Sequence, residues 1–251
     1  MTVVVVMVDP PRPGLALPEL AATTPLSEAE AADLYAAMLK DTVIAVRESG
    51  GDLLLNYRPD ELLPDEHHTE TSAAAEVRAM VADVVEEVST VRFEPQVGSD
   101  LSARAGNTVT HLLRDEGADS VAILPGTAPL LTRATIDTAA VNLRRAPVVL
   151  GPATDGRVHY AGFTEPIDFA DALVDPVLPT LAERARDADL DTAFIDLSPV
   201  VEQGADLLTL LPMLRARKAA EKAVPAYTTA LLEQLEMDVV HDEAGPRLVR
   251  P

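Results

Sequence analysis

Asp155 is the residue of this chain whose setting most invites a chemical role. The apolar run that ends at Leu150 meets Gly151 and Pro152, and Asp155 then precedes Gly156. An Asp-Gly pair is a favoured tight turn, which is one complete explanation of the pattern. In open α/β sheets, however, ligands bind outside the carboxyl ends of the strands. Asp155 is therefore either a turn residue or a residue at the mouth of a site built on strand ends.

Two other segments suggest a metal site, and each has a simpler explanation. Residues 66–70 place two histidines between two glutamates, but a polar loop before a helix in an acidic protein explains this equally well. Residues 187–191 alternate aspartate with other residues, as calcium loops do, yet they lack the glycine and the distant glutamate of an EF-hand loop. We interpret both segments as solvated connections.

The charge balance excludes one class of partner. Asp and Glu number 41 against 20 Lys and Arg, and the formal net charge is −21. The acid is spread along the chain, which is typical of a surface adapted to concentrated salt, where screening removes the self-repulsion. An ordinary acidic, solvated surface is the alternative. No basic patch is present to hold a nucleic-acid backbone, so we expect no nucleic-acid partner.

Missing residue types narrow the chemistry and the location. The chain has no cysteine, which excludes disulfides, thiolate zinc sites and cysteine nucleophiles. No apolar run approaches the roughly 20 residues that span a bilayer. The opening MTVVVVMVDP predicts a first strand rather than a signal peptide, because it has no basic start and no small-residue cleavage site. We expect a cytoplasmic protein.

Strand and helix patterns alternate along most of the chain. Ser27 and Glu30 form a capping box for a helix that Gly50-Gly51 ends. The other predicted helices cover 72–88, 98–117 and 132–143, one that Ser198-Pro199 opens, and 215–237, interrupted near Pro225. The predicted strands cover 2–8, 52–57, 90–95, 120–124, 146–151 and 191–197. This alternation predicts an α/β fold with a mainly parallel sheet and helices on both faces.

Three segments depart from the regular alternation. Residues 157–163 alternate apolar and polar side chains and are candidates for an added antiparallel strand. Residues 9–20 are too rich in proline for regular structure. The tail 237–251 has two short apolar pieces around a turn and predicts a hairpin.

The loops at the predicted strand ends are 9–26, 95–100, 125–132 and 151–157. In the second of these, Asp100 is either the N-cap or a first-turn acid of the following helix. Gly98, together with that helix start, is alternatively placed to present backbone N–H groups to a ligand.

These four loops also carry motifs in the order of a known family. The motifs are RPGLALPEL (12–20), QVGSDLSAR (96–104), LPGTAPLLT (124–132) and GPATDGRVHYAGF (151–163), followed by DLSP (196–199). Together they resemble the glycosyltransferase-like family of the GT-A fold, in the nucleotide-diphospho-sugar transferase superfamily, whose members are sometimes labelled radical-SAM/selenodomain-associated transferases. The resemblance covers residues 1–214 and implies one GT-A-like domain there, with 215–251 a C-terminal helix and hairpin packed on it.

The resemblance implies transfer from a nucleotide-sugar or related nucleotide donor, with Mg²⁺ or Mn²⁺ held against the donor diphosphate by a strand-end carboxylate. Asp155 matches an acidic position of the family and is the expected catalytic and metal-binding residue. The expected donor-binding residues are Arg12, Gly14, Gly98, Asp100, Arg104, Thr127 and Arg157. For Arg104, structural pairing and ligand contact are both open. Arg157 either replaces a lost phosphate ligand or pairs with carboxylates.

Two departures put catalysis in question. Thr127 stands where the family has a metal-binding aspartate, and a neutral hydroxyl is a poor substitute on Mg²⁺. Leu17, Pro18 and Glu19 stand where the family has Lys-Thr-Arg. Three hypotheses follow: a metal-dependent transferase, a catalytically degenerate relative that serves as a binding or partner protein, and an unrelated metal-dependent hydrolase. A homodimer remains open, as does a metal site rebuilt from Asp9 or Asp196.

Overall fold

The computed structural model describes residues 1–85, 87–242 and 245–250. Its strands are β1 (Thr2–Val8), β2 (Asp52–Tyr57), β3 (Arg92–Pro95), β4 (Ser120–Pro125), β5 (Val148–Pro152), β6 (Val158–Phe163), β7 (Thr192–Phe194), β8 (Asp238–Asp242) and β9 (Gly245–Val249). Its α-helices are α1 (Pro18–Thr23), α2 (Glu28–Glu48), α3 (Ala73–Val81), α4 (Leu101–Arg114), α5 (Arg133–Asn142), α6 (Val177–Asp187), α7 (Gly204–Ala219) and α8 (Ala226–Gln234).

Seven strands form one sheet in the order β3-β2-β1-β4-β6-β5-β7. β1 pairs in parallel with β2 and with β4, β2 pairs in parallel with β3, and β5 pairs in parallel with β7. β6 runs antiparallel between β4 and β5, which confirms the added strand expected at 157–163. The chain adds β2 and β3 on one side of β1 and then, beginning with β4, adds the remaining strands of the sheet on the other side. The carboxyl ends of β1 and β4 therefore form a topological switch point, where ligands bind in open α/β sheets.

β1 shows why the sheet is buried on both sides. Its side chains alternate across the sheet, so that Val4, Val6 and Val8 enter one apolar cluster and Val5 enters the other. Strands of a parallel sheet that is covered on both faces read as continuous apolar runs, as this one does. The fold class expected from the sequence is confirmed.

The helices form a layer on each face of the sheet. Apolar side chains of α1, α2, α3, α5, α7 and α8 join the first cluster, and those of α4 and α6 join the second. The β8–β9 hairpin expected in the tail is present, and its Val239 joins the first cluster. Residue 214 lies inside α7. None of the helices in the described part of the chain is long and apolar enough to cross a membrane.

The helix boundaries follow local caps where such caps exist. Ser27 and Glu30 form the expected capping box of α2, and Ser72 caps α3 with a hydrogen bond from the Ala75 N–H. α3 ends at Val81 instead of continuing to 88; the Val84 carbonyl beyond it accepts a hydrogen bond from Arg47. Val84, Val85 and Val88, which follow α3, are β-branched and have a low helix propensity, so they also favour its early end.

Three expectations about local structure are wrong. The proline-rich segment 9–20 includes the start of α1, whose proline lies at the first helical position, where it is tolerated. Ser198-Pro199 does not open a helix, because 198–201 is drawn along the strand ends by hydrogen bonds from Ser198 N–H to the Pro152 carbonyl and from Val201 N–H to the Thr127 carbonyl. The next helix begins only at Gly204. α6 was not expected at all.

Asp41 joins two helices of the first layer. Its carboxylate, on α2, accepts hydrogen bonds from the N–H groups of Tyr227 (3.1 Å) and Thr228 (2.8 Å) and from the Thr228 hydroxyl (2.6 Å). Asp41 thus caps the amino end of α8 from a residue far away in the chain. Burial raises the pKa of Asp41, and the hydrogen bonds oppose this rise.

We predict that Asp41→Ala lowers the free energy of unfolding by about 1–3 kcal/mol, because it leaves buried N–H groups without an acceptor. Urea denaturation followed by circular dichroism measures the change. Asp33→Ala, at an exposed position of the same helix, is the matched control and should stay within about 0.5 kcal/mol of the native protein. Equal effects of the two substitutions would contradict the capping role.

Candidate functional site

A cavity of 440 Å³ lies at the switch point between β1 and β4. Residues 7–9 and 125–127, at the carboxyl ends of these strands, line it, together with the segment 15–19. The volume lies within the range of about 300–1,000 Å³ that is usual for small-molecule sites. The strand-end loops identified in the sequence thus meet at one concave surface.

Arg104 is the most informative residue of this cavity. It lies in the first turn of α4, lines the cavity and is only 8% exposed. Its Nε is buried without a hydrogen-bond partner, and no carboxylate of the described residues forms an ion pair with it. Burial lowers the pKa of Arg104, and the nearby charge of Arg58 lowers it further, while Asp9 acts in the opposite direction. A buried cation without an ion-paired or hydrogen-bonded carboxylate is costly and indicates a place for an anionic ligand.

Gln96 adds an acceptor to the same cavity. Its backbone N–H donates to the Tyr57 carbonyl (2.8 Å), and its Nε2 donates to the Asn56 carbonyl (2.8 Å). Its Oε1 is buried without a partner. The cavity therefore has an unused acceptor at Gln96 and an unused donor at Arg104. The sequence did contain a signal for Gln96, because this residue directly follows a strand in one of the matched motifs. Even so, Gln96 was not among the candidate residues expected from the sequence.

Gly98 and Asp100 act through the helix that carries Arg104. Gly98 has φ +145°, and a Cβ there would lie 2.7 Å from the Arg104 nitrogen, so only glycine fits. Asp100 is the N-cap of α4, and its carboxylate accepts a hydrogen bond from the Ala103 N–H (2.9 Å), which lowers the pKa of Asp100. Neither residue lines the cavity. Both fix the start of α4 and thereby the position of Arg104.

Asp9, directly after β1, is a carboxylate inside the cavity. Its backbone N–H donates to the Tyr35 hydroxyl (2.9 Å). Burial raises the pKa of Asp9, whereas the charges of Arg58 and Arg104 act to lower it; the Arg58 Nη1 lies 3.9 Å from the carboxylate. This carboxylate moderates the repulsion between the two arginines.

Asp155 is both a turn residue and a residue at the cavity mouth. It has φ 58° in the short 3₁₀ segment Thr154–Gly156, and its side chain lines the cavity while remaining 66% exposed. Its Oδ2 lies 3.4 Å from the Arg157 Nη2 and 3.5 Å from the Gln203 Nε2. Asp155 therefore occupies a tight turn and also lies at the mouth of the cavity, so the two interpretations drawn from the sequence are compatible.

Arg157 is held by carboxylates. Its guanidinium forms a two-pronged ion pair with Asp206, in which Nη1 lies 3.0 Å from Oδ2, and it also contacts Glu202 (3.3 Å). The pair is buried, with Arg157 9% and Asp206 2% exposed, and these partners raise the pKa of Arg157. Asp206 also accepts from the N–H groups of Glu202 and Gln203, ahead of α7. This pair anchors the start of α7 beside the cavity.

Arg12 and Gly14 lie outside the cavity lining. The Arg12 guanidinium pairs with Glu76 (2.8 Å) and Asp60 (3.0 Å) and donates to the carbonyls of His67 and Thr71. Gly14 has φ +75°, and a Cβ there would lie 3.2 Å from a carboxylate oxygen of Glu28. These contacts hold the long loops in place.

Thr127 lines the cavity, as expected from its motif. Its hydroxyl lies 3.5 Å from Glu202 Oε1, and its carbonyl accepts from the Val201 N–H. His159, in contrast, is fully buried outside the cavity; burial lowers its pKa, and its Nε2 lies 3.0 Å from the Asp196 carbonyl oxygen.

The carboxylates of the cavity do not by themselves form a cation site. No group of three His, Asp or Glu side chains in the described part of the chain is arranged to hold a metal ion. Asp9 and Asp155 both line the cavity and carry the right donor atoms, but a cation there would need further ligands from a bound molecule.

The fold and the position of the cavity define a GT-A-like α/β protein. A Desulfovibrio desulfuricans G20 protein, described as a candidate nucleotide-diphospho-sugar transferase, has a similar structure, with a TM-score of 0.73 and 20% identity over 93% of this chain and 97% of that chain. A 4-diphosphocytidyl-2C-methyl-D-erythritol synthase is similar with a TM-score of 0.53 and 11% identity over 85% of this chain and 97% of that chain.

A comparison with protein families matches the central part of the chain. Residues 61–172 match the family described as "Uncharacterized protein conserved in bacteria (DUF2064)". The search of curated proteins gave no match. The fold expected from the resemblance is confirmed.

We predict that Arg157→Met lowers the free energy of unfolding by about 3–5 kcal/mol at neutral pH, because it leaves the Asp206 carboxylate buried without its partner. Denaturant titration of both proteins measures this difference. Arg186→Met, at an exposed arginine, is the control and should change stability by less than about 0.5 kcal/mol.

The ion pair between Arg157 and Asp206 also makes the stability difference between the native protein and Arg157→Met depend on pH. Burial acts to raise the pKa of Asp206, but the hydrogen bonds from Arg157 and the backbone outweigh it and the pKa is lowered. The stabilisation is therefore complete above the unfolded pKa of about 3.9 and is lost as the pH falls through the lower folded pKa. The gap between the native protein and Arg157→Met should narrow in that acidic window. A gap that is constant down to pH 2 would contradict the assignment.

Proposed function

We propose that the chain is a transferase that uses a nucleotide-activated donor, a nucleotide-sugar or a related compound, and that the donor phosphates bind at Arg104. The observation that carries the proposal is the buried Arg104 guanidinium, which forms no ion pair or hydrogen bond with a carboxylate of the described residues and lines a cavity at the switch point of the sheet. A planar guanidinium matches the geometry of phosphate oxygens. The fold shared with transferases is consistent with this activity, but the proposal rests on the site and not on the fold.

The chemistry asked of Arg104 is electrostatic. In phosphate-linked transfer, negative charge grows on the departing phosphate, and a preorganised cation at that position stabilises it. The Gln96 Oε1 accepts a hydrogen bond from the same donor, for example from a hydroxyl or an amide N–H, and so fixes its orientation. Gly98 and Asp100 position Arg104 and do not contact the donor in this proposal.

A divalent cation enters the proposal only together with the donor. Mg²⁺ and Mn²⁺ are usually bound through one or two carboxylates plus substrate phosphates, and Asp155 and Asp9 supply such carboxylates at the cavity. The cation would neutralise phosphate charge. Thr127 would add no charge to such a site, because its hydroxyl is neutral.

A second candidate function is a binding or partner protein that has lost catalysis. It is favoured by the contacts of Asp155 with Arg157 and Gln203 and by the neutral Thr127 in place of the family's aspartate. Such a protein would bind the nucleotide through Arg104 and gain nothing from a metal.

We predict that Arg104→Met weakens nucleoside diphosphate binding about tenfold to a hundredfold, as expected for losing a charge-assisted hydrogen bond worth about 1.5–3 kcal/mol. The measurement is calorimetric titration with UDP, CDP, GDP and ADP in molar KCl. The thermal midpoint of this variant should equal or exceed that of the native protein, since an unpaired buried charge has been removed.

Arg133→Met, at an exposed arginine of α5, is the matched control and should leave affinity unchanged. Absence of binding by the native protein to all four nucleotides would reject both candidate functions at this site. Equal affinity of Arg104→Met and the native protein would reject the role of Arg104.

We further predict that Mn²⁺ strengthens nucleoside diphosphate binding by the native protein and that Asp155→Ala abolishes this gain. The reason is that Asp155 would supply a carboxylate ligand to a cation that enters with the donor phosphates. Titrations with and without Mn²⁺, on both proteins, measure the effect. Binding that is insensitive to Mn²⁺ in the native protein would favour the binding protein over the metal-dependent transferase.

A further inference from the structure

A second cavity of 200 Å³ opens beside the first. Six residues line both cavities: Met7, Leu101, Pro125, Arg157, Asp175 and Glu202. The second cavity is completed by five apolar side chains, those of Ile123, Leu124, Val158, Leu173 and Val177. We call this second cavity the apolar annex.

The walls of the apolar annex offer dispersion contacts and very little hydrogen bonding. Its one cationic side chain, Arg157, is already committed to Asp206 and to the Thr154 carbonyl and hydroxyl. Leu101, at the junction with the first cavity, is 43% exposed although it is large and apolar. An exposed apolar side chain between two cavities gains contact area when a ligand covers it.

The rim of the apolar annex sets the charge of what can enter. Asp175 and Glu202 line the junction, and Asp155 lies at the mouth of the adjoining cavity. Asp155 and Glu202 also contact Arg157, but that cation is paired with Asp206 as well, so the rim keeps a net negative charge. It therefore repels an anionic head group, and its carboxylates accept hydrogen bonds from a hydroxyl or an ammonium group. The phosphate-binding position proposed at Arg104 belongs to the first cavity only, because Arg104 does not line the annex.

We propose that the apolar annex binds the apolar body of the acceptor substrate, whose hydroxyl or amino group then faces the donor cavity. This inference rests on the proposed transferase function. The size of the annex limits the group: an apolar cavity of about 150 Å³ holds benzene, so 200 Å³ holds a body of about one ring. The acceptor class is thus a small apolar alcohol or amine, not a sugar phosphate or another anion.

The test uses benzyl alcohol, benzylamine and benzoate as probes of one size and three head groups. Methyl resonances of the isotope-labelled native protein report where each probe binds. We expect the alcohol and the amine to shift the methyl signals of Ile123, Val158 and Leu173, and benzoate to bind at least about tenfold more weakly because of the carboxylate rim. Shifts that lie outside the annex, or equal binding of benzoate, would overturn the proposal.

Leu173→Trp fills the annex and should weaken benzyl alcohol binding at least about tenfold. Val174→Trp, at the neighbouring residue, which is 59% exposed and outside the annex lining, is the matched control and should bind as the native protein does. Unchanged binding by Leu173→Trp would overturn the proposal. Should this variant not fold, the methyl shifts of the native protein still decide the question.

Nucleotide titrations on the same proteins separate this inference from the function on which it rests. We expect benzyl alcohol and UDP to bind together, and UDP affinity to survive Leu173→Trp. Competition between the two would assign the annex to the donor and overturn the acceptor role. Alcohol binding without any nucleotide binding would reject the transferase and leave only an apolar site; nucleotide binding without alcohol binding would reject the annex alone.

Discussion

The buried ion pair between Arg157 and Asp206 is the interaction on which the arrangement of the site depends. It ties the start of β6 to the start of α7, across 49 residues of sequence. Asp206 in turn accepts the backbone N–H groups of Glu202 and Gln203. The segment held in this way contacts both Thr127 and Asp155, so one pair of charges shapes a whole wall of the cavity. A buried pair of this kind adds specificity of structure more surely than stability.

The two cavity arginines divide structure from ligand binding. Arg157 has a carboxylate for its charge and a partner at each end of its guanidinium, whereas Arg104 is equally buried and has no such partner. A folded protein tolerates the second situation only where another gain offsets its cost, and a bound anion is the simplest gain. Each arginine lies in one of the matched motifs, and the motifs alone do not distinguish their roles. Their carboxylate neighbours, which come from distant parts of the chain, make the distinction.

The two adjoining cavities suggest how a single switch point serves two substrates. The first is polar, holds the unpartnered groups of Gln96 and Arg104, and suits a phosphate-linked donor. The apolar annex shares its boundary at Leu101 and Pro125 and suits an uncharged or cationic acceptor body. Placing two reactants side by side in a fixed orientation is itself a large part of catalysis. In the proposed reaction, the acidic rim would favour hydrogen-bond donors and disfavour free anions.

The sequence by itself determined the elements whose causes are local. The valine run of β1, the capping box of Ser27 and Glu30, the caps at Ser72 and Asp100 and the alternating pattern of the strand at 157–163 all depend on neighbouring residues, and the structure contains each of them. The sequence pattern also predicted that the four loops lie at one edge of the sheet, since the carboxyl ends of parallel strands meet there.

Only the tertiary structure decided which charges are used. Arg12 and Arg104 were both expected to bind the donor, yet Arg12 pairs with Glu76, 64 residues away, and lies outside the cavity. Ser198-Pro199 had the form of a helix start, yet long-range hydrogen bonds to Pro152 and Thr127 draw that segment along the strand ends. The reason is physical: a cap or an apolar period is encoded within a few residues, whereas the burial and the partner of a charge are set by chain segments that meet only when the protein folds.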